Sequence, residues 1–321
     1  MIASFNVFLT WMTVSMNVRQ ASPLGQGGPA IDSDFPDPTI VQDLDGAWYA
    51  FATEHAGVHV QAARASAPEG PWTKIDGIDL LPKSNSFFTG SNTWAPDVRV
   101  LGNDSYVLYF SGQVASNDSH HCVGVATSTR ILGPYTPKDE PFQCDLRDGG
   151  EIDPSSFRDV DGKTYVTYKV DGNSIGAGGE CNNGINPKKA TPIVLQEVSK
   201  NGVEKIGSPR QILDRVGDEP LVEAPAIYRA RDGTYILFFS SGCFTAPSYN
   251  VNYATSKSVG GPYTRASTPL ISSNDSLGLT SPGGATPVQN GDVLVFHANC
   301  EAGRCMFVRK FDFRNRIVRL L

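Results

Sequence analysis

The sequence predicts an all-β chain folded as a five-bladed β-propeller, and three observations predict it. A Gly-Pro-aromatic-Thr motif recurs at Gly70-Pro71-Trp72-Thr73, Gly133-Pro134-Tyr135-Thr136 and Gly261-Pro262-Tyr263-Thr264. The first two copies are 63 residues apart and the third lies 128 further on, two periods with one degenerate copy between. A second marker, a turn feeding an aromatic or apolar strand, recurs at Asp45-Gly46-Ala47-Trp48-Tyr49, Gly102-Asn103-Asp104-Ser105-Tyr106, Asp161-Gly162-Lys163-Thr164-Tyr165, Asp232-Gly233-Thr234-Tyr235 and Asn290-Gly291-Asp292-Val293. Third, no long stretch places apolar residues at helical spacing. Short β-branched and aromatic runs alternate instead with Gly, Asp, Asn and Pro, in a chain with 32 Gly, 22 Pro and 10% aromatics, the pattern of strands and turns. Repeats of this length, each holding several short strands, build small sheets around a central channel.

Each repeat reads in the same order. An inner strand comes first: Asp37-Pro38-Thr39-Ile40-Val41, Asp97-Val98-Arg99-Val100, Asp153-Pro154-Ser155-Ser156-Phe157, Glu223-Ala224-Pro225-Ala226-Ile227 and Ala285-Thr286-Pro287-Val288. Proline is tolerated at such a strand start, where it removes no ladder hydrogen bond. The turn follows, its Asp-Gly or Asn-Gly suiting the positive φ of tight hairpins. An aromatic strand comes next, then a small-residue strand (Ala63-Arg64-Ala65-Ser66, Ala126-Thr127-Ser128, Ala254-Thr255-Ser256), then the Gly-Pro motif. The degenerate copy runs from Gln196-Glu197-Val198-Ser199 to Gly207-Ser208-Pro209. A β-sandwich with coincidental turn similarity is the competing fold, and the co-spacing of two independent markers weighs against it.

At 321 residues the chain is long enough for a large core in one all-β domain, set here at residues 31–321. Residues 1–30 are excluded from the fold. Residues 1–21 are apolar (Ile2, Phe5, Val7, Phe8, Leu9, Trp11) and have two readings, a secretory leader or a mis-predicted start; no Lys or Arg precedes them and no clean small-x-small site follows. The net charge is −6, from 27 basic and 33 acidic residues. Without basic runs interleaved with aromatics, nucleic acid is not an expected partner. No apolar run reaches the roughly 18 residues of a membrane span, and a monomer is expected. The six cysteines form no CxxC pair, which disfavours zinc and favours disulfides. Cys300 and Cys305 flank a four-residue turn between strand-like runs, so a hairpin-closing bridge is expected there; the other pairings stay open. Sequons at Asn103, Asn117 and Asn274 are read as lying in polar loops, adding support for secretion.

Three carboxylates stand at the starts of inner strands in similar contexts: Asp37 in Phe-Pro-Asp-Pro, Asp153 in Ile-Asp-Pro-Ser, Glu223 in Val-Glu-Ala-Pro. Singly, an Asp before Pro is a common turn residue. Matched placement on three blades brings the acids to one end of the axis. There mutual repulsion separates their pKa values, giving a proton donor and an ionised base, the pair that glycosidic bond cleavage needs.

The ordered set Asp34-Phe35-Pro36-Asp37-Pro38-Thr39-Ile40, Thr93-Trp94-Ala95-Pro96-Asp97-Val98, Ile152-Asp153-Pro154-Ser155-Ser156-Phe157 and Val222-Glu223-Ala224-Pro225 resembles glycoside hydrolase family 43, from about residue 31 to the C-terminus. The resemblance implies a five-bladed propeller and inverting hydrolysis of arabinose- or xylose-containing polysaccharides or oligosaccharides. It implies Asp37 as general base, Glu223 as general acid and Asp153 as modulator of the Glu223 pKa. No cofactor is required for that chemistry. α-L-Arabinofuranosidase or arabinanase activity is favoured, with β-xylosidase next. A non-catalytic sugar-binding propeller is the alternative of another class, against which the retention of all three acids weighs. A fructan-splitting clan is disfavoured because its Asn-Asp-Pro-Asn-Gly, Arg-Asp-Pro and Glu-Cys are absent.

The remaining candidates carry two readings each. Trp94 is a wall for a sugar ring or a core tryptophan, and Phe35 the same. Arg304 matches a late basic position of the family that touches substrate, or is a surface charge. His297 corresponds to an inward histidine on the channel axis, often near a calcium or other ion and its waters in the family, or is simply hydrogen-bonded. Asp97 is read as structural, and His55, His59, His120 and His121 as loop or rim residues. The segments 172–187 and 243–250 are expected to shape the rim, since specificity resides in loops.

Overall fold

A computed structural model describes residues 28–102 and 104–321; the apolar N-terminal segment and the sequon at Asn103 lie outside the described residues. The first blade comprises Thr39–Gln42 (β1), Trp48–Ala52 (β2), Gln61–Ala65 (β3) and Thr73–Lys74 (β4), and the second Trp94–Gly102 (β5), Ser105–Val114 (β6), Asn117–Ser128 (β7) and Thr136–Pro137 (β8). The third comprises Glu151–Arg158 (β9), Thr164–Val170 (β10), Ile193–Val198 (β11) and Lys205–Leu213 (β12). The fourth comprises Val222–Arg229 (β13), Tyr235–Ser241 (β14), Asn250–Ser256 (β15) and Thr264–Arg265 (β16), and the fifth Gly283–Pro287 (β17), Val293–Cys300 (β18), Gly303–Arg314 (β19) and Ile317–Leu320 (β20). Each blade is a four-stranded sheet with its strands in chain order. The inner strands β1, β5, β9, β13 and β17 pack against one another in that order, and β17 returns to β1. The result is a five-bladed β-propeller.

The apolar runs that lack alternation are explained by burial on both sides. Along β14, Ile236 and Phe238 enter the cluster shared with the fifth blade, whereas Leu237 and Phe239 enter the cluster shared with the third. In β6, Leu108 and Phe110 face the first blade and Val107 and Tyr109 the third. In β18, Leu294 and Phe296 pack toward the fourth blade and Val293 and Val295 toward the first. Successive strand residues point to opposite faces, so a middle strand between two neighbours must be apolar at every position.

The ring closes through the N-terminal segment. The amides of Ala30 and Ile31 donate to the Met306 carbonyl at 2.7 and 3.2 Å, and the Phe35 amide donates to the Arg304 carbonyl at 2.8 Å. Ile31 and Phe35 are buried in the cluster between the fifth and first blades. Ala30, placed by sequence in the excluded segment, is therefore stitched to β19.

The first hairpin departs in detail from the expected two-residue turn. Gly46 donates to the Asp43 carbonyl, Asp43 donates to the Ala47 carbonyl, and only Gly46 (φ 84°) is left-handed, the pattern of a turn followed by a glycine bulge. The Gly-Pro motifs form repeated knobs: Trp72 Nε1, Tyr135 Oη and Tyr263 Oη each donate to the carbonyl four residues earlier. The third blade, whose motif is degenerate, carries the nine-residue β12 at its outer edge instead. Cys300–Cys305 closes the β18–β19 hairpin as expected; Cys122 pairs with Cys144, and Cys181 with Cys243. Asn117 opens β7 rather than lying in a loop. Among the described residues no helix is long and apolar enough to cross a membrane.

Phe238 is fully buried between the fourth and fifth blades. Phe238→Ala is expected to destabilise the fold by about 3–5 kcal/mol, read from the midpoint of denaturant unfolding.

Candidate active site

The site begins with a repeated backbone irregularity. Each inner strand has one left-handed residue within its first three residues or, in the first blade, just before it: Asp37 (φ 53°), Ala95 (42°), Asp153 (57°), Ala224 (50°) and Gly284 (60°). In β5, β9, β13 and β17 the pairing register with the second strand shifts at this point, a bulge that re-aims side chains. A left-handed residue other than glycine costs roughly 1–2 kcal/mol, and such strain persists where the surroundings over-determine it.

What over-determines it here is a ring of hydrogen bonds between blades. The Asp37 amide donates to His297 Nδ1 (3.0 Å), Ala95 to Thr53 Oγ1 (2.9 Å), Asp153 to Ser111 Oγ (2.9 Å), and Gly284 to Ser240 Oγ (2.9 Å). Each acceptor belongs to the preceding blade. Ser111, Ser240 and His297 lie opposite Trp94, Glu223 and Gly283 in the ladder. The corresponding residue of the third blade, opposite Ile152, is Lys169. An ammonium group cannot accept a hydrogen bond, and the Ala224 amide donates instead to Asp153 Oδ2 (2.9 Å).

The three acids therefore occupy two positions, not one. Asp37 and Asp153 are the left-handed residues of their blades, whereas Glu223 precedes its left-handed residue and corresponds to Trp94. In the fifth blade the two positions are Gly283 and Gly284. A Cβ on Gly283 would overlap the Tyr249 ring, and one on Gly284 would stand 2.8 Å from His297 Nδ1. Glycine makes room there for the two rings, which stack with centroids 5.9 Å apart.

Asp37 Oδ2 accepts from Thr53 Oγ1 at 2.7 Å, and Oδ1 lies 3.3 Å from Arg304 Nη1 and 3.4 Å from His297 Nδ1. Burial alone would raise its carboxyl; Arg304 and the Thr53 hydroxyl outweigh it and hold Asp37 below the usual carboxylate range. Asp153 is pushed up to about 8, first by burial, then by the Glu223 carboxylate, with Lys169 opposing and Asp37 adding to the rise. Glu223 Oε1 accepts from Tyr249 Oη at 2.8 Å, and Oε2 lies 3.0 Å from Lys169 Nζ, which is also 2.9 Å from Asp171 Oδ1. Burial and the surrounding acids raise the Tyr249 hydroxyl well above its ordinary value, so it remains a donor. The arrangement offers a charged carboxylate beside Arg304 and, at Asp153 beside Glu223, a carboxyl that retains its proton through neutral pH.

The other sequence candidates are distributed as follows. Arg304 touches Asp37, its guanidinium 5.1 Å from the ring centroid of Phe244. Trp94 is half-buried and stacked on His121 at 3.5 Å, which covers one of its faces. Phe35 is 0% exposed inside the core between blades. It is thus not a sugar platform, because no part of its ring reaches solvent. Asp97 accepts from the Ser156 amide at 2.9 Å and joins β5 to β9, the structural role expected. His120 and His121 are buried on β7, not on a rim loop, because their strand is covered by the third blade's loop through Ser174.

His297 does not fit direct ligation of a cation. Its Nδ1 accepts from the Asp37 amide, so in the neutral ring the proton sits on Nε2, which is buried without a protein partner; a nitrogen bearing its proton is a donor, not a ligand. Burial lowers its pKa to about 3, keeping the ring neutral. The chemistry of two carboxyl groups and a water requires no cofactor.

Sequence reasoning missed Thr53, Ser111, Lys169, Ser240, Tyr249 and Phe244. A signal existed for four of them. Thr53, Ser111, Lys169, Ser240 and His297 are each the polar residue ending an apolar or aromatic run: Phe51-Ala52-Thr53, Tyr109-Phe110-Ser111, Thr167-Tyr168-Lys169, Phe238-Phe239-Ser240, Val295-Phe296-His297.

The model of glycosyl hydrolases family 43 matches residues 27–316. The extracellular endo-alpha-(1->5)-L-arabinanase 1 of Bacillus subtilis (strain 168) is 30% identical over 284 residues, 82% of this chain and 79% of the relative. The probable arabinan endo-1,5-alpha-L-arabinosidase C of Aspergillus flavus is 28% identical over 285 residues, 81% of each chain. Among solved structures, a thermostable family-43 glycoside hydrolase superposes with a TM-score of 0.73 at 22% identity, over 89% of this chain and 92% of the other. A native Bacillus subtilis arabinanase superposes with a TM-score of 0.65 at 23% identity, over 91% of this chain and all of the other, 100%. The chain is a glycoside hydrolase and belongs to glycosyl hydrolases family 43.

Proposed function

We propose that this hydrolase cleaves α-1,5-linked arabinan with inversion, Asp37 acting as general base, Glu223 as general acid and Asp153 as its modulator. The observation that carries the reading is the gathering of the three acids around Tyr249 and His297, with Asp37 held charged and Asp153 pushed up by burial and by the Glu223 carboxylate. Asp37 takes a proton from a water as its oxygen bonds to the anomeric carbon. Glu223 gives a proton to the glycosidic oxygen as the old bond breaks. Asp153, bonded to the Ala224 amide, shares a field with Glu223, each opposing the other's charge. Inversion requires the acid and base about 6.5–9.5 Å apart, leaving room for the water. Arabinan is favoured over xylan because the sequence relatives reported above carry arabinanase names. The extracellular relative and three disulfides, which persist in oxidising compartments, support action outside the cell, with residues 1–30 as leader and spacer, 31–321 as the catalytic propeller and a monomer as the working unit.

Asp37→Asn and Glu223→Gln are each expected to lower kcat about 10²–10⁴-fold with unchanged circular dichroism, measured by sugar release from linear arabinan. The first product, followed by proton NMR, should be the β-anomer. A wild type that releases nothing from arabinan, arabinoxylan or aryl arabinosides and xylosides would leave a sugar-binding propeller instead.

The pH profile follows from the two shifted groups. The base is active while ionised, so the acid limb should lie below the ordinary Asp value of 3.8, as pH falls through the depressed Asp37 pKa. Asp153 gives up its proton as pH rises through about 8, where it would carry a charge beside Glu223, and this sets the alkaline limb. Asp153→Asn removes the second anion and should move the alkaline limb to lower pH in kcat/KM profiles.

Phe244 is 43% exposed and lies against Arg304, which touches Asp37. It is the rim aromatic placed to meet a sugar ring. Phe244→Ala should raise KM several-fold, within the roughly 0.5–2 kcal/mol of a lost cation–π and stacking contact, and change kcat little in steady-state assays on arabino-oligosaccharides.

A further inference from the structure

We infer that Lys169 is a positioning residue for Glu223, fixing one carboxyl oxygen and stabilising the carboxylate that remains once the proton has passed to the leaving oxygen. The inference rests on the acid role proposed for Glu223. Three observations carry it. Lys169 is fully buried on β10, where its ladder partners are Ile152 and Ile193. Its Nζ meets Glu223 Oε2 at 3.0 Å and Asp171 Oδ1 at 2.9 Å. It holds the one ring position where the preceding-blade residue accepts no amide, whereas Thr53, Ser111, Ser240 and His297 all do. A hydroxyl there would serve the fold as it does in the second and fourth blades. Burying an ammonium ion costs several kcal/mol that pairing must offset, and well-packed apolar residues often replace such pairs without loss of stability. The fold therefore gives no reason for lysine at this position, and the contact with Glu223 does.

Lysine donates only, so with Nζ on Oε2 the donor proton is favoured on Oε1, beside the Tyr249 hydroxyl. In the step, the Oε1–H bond breaks, the proton bonds to the glycosidic oxygen, and that oxygen keeps the electron pair of its broken bond to the anomeric carbon. The Glu223 carboxylate left behind already faces an ammonium group and needs no rearrangement. The groups acting on Lys169 are Asp171, Glu223 and Asp153. Tyr249 and Asp37 face the same acids from the fourth and first blades, and His121, kept neutral by burial, faces Asp171 from β7.

The test uses the whole chain with Lys169→Met, which keeps length without charge, and Lys169→Ser, which installs the hydroxyl found at the equivalent ring positions. On linear arabinan kcat should fall about 10²-fold with little change in KM. The alkaline limb of kcat/KM should move to higher pH, because Lys169 lowers the affinity of the pair for its proton. On a 4-nitrophenyl arabinoside, whose leaving group needs little acid assistance, the loss should be smaller. Asp171→Asn removes an anion and should move the same limb to lower pH, and it decides the matter should both Lys169 variants fail to fold. An unmoved alkaline limb in any folded variant, or equal losses on both substrates, overturns the inference. If Glu223→Gln is as active as wild type, the acid assignment fails first, and this inference with it.

Discussion

The structure depends on five backbone amides at the axis, each turned into the channel by a left-handed residue and each needing an acceptor. A buried amide without one costs about 1–3 kcal/mol, and the left-handed turn adds its own strain. The side chains of Thr53, Ser111, Ser240 and His297, with Asp153 in the third blade, meet that need across every blade interface. Because each bond joins consecutive blades, the acids are located relative to one another and not merely to their own strands. The same atoms serve twice: Thr53 accepts from Ala95 and donates to Asp37, and Asp153 accepts from Ala224 while sharing a field with Glu223.

Charge is managed by two cations of different character. Arg304 is partly exposed and holds Asp37 ionised from the rim; Lys169 is sealed in the interior and pairs with Glu223. Three carboxyls in one another's field could not all stay charged in a low-dielectric centre. The asymmetry of the cations decides which one does. Asp37 has Arg304 and a hydroxyl, while Asp153 has no cation in contact and is pushed toward its protonated form. The separation of roles between two aspartates at equivalent positions therefore comes from their neighbours, since the backbone treats them alike.

The fold was legible because its signals are local and repeated: turn glycines, Gly-Pro knobs and doubly buried apolar strands all recur at blade spacing. The acids were legible for the same reason. What escaped is relational. Phe35 precedes the base in sequence, yet ring closure by Ile31 and Phe35 on β19 carries it into the core. Lys169 reads as an ordinary basic residue until β13 is placed beside β10, and Tyr249 sits in a loop whose path depends on a disulfide that spacing alone left open. Glu223 was read as equivalent to Asp37 and Asp153, and only ladder register shows it displaced by one residue.

The seam between the third and fourth blades explains the placement of that disulfide. Asp153 and Lys169 come from one side of the seam, Glu223 and Tyr249 from the other. Cys181–Cys243 bridges the rim loops of these two blades, closing a separation of 62 residues. Glu180 Oε1, beside Cys181, accepts from the Cys243 amide at 3.3 Å and from Ser248 Oγ, the residue before Tyr249. A slide of one blade past the other would change the Asp153–Glu223 and Lys169–Glu223 distances together, and misplacement by about 1 Å can cost a catalytic site 10²-fold. The seam between the fifth and first blades holds the charged Asp37 through Arg304 and the His297 hydrogen bond. The seam between the third and fourth blades positions two acids and a lysine, and Cys181–Cys243 pins it covalently.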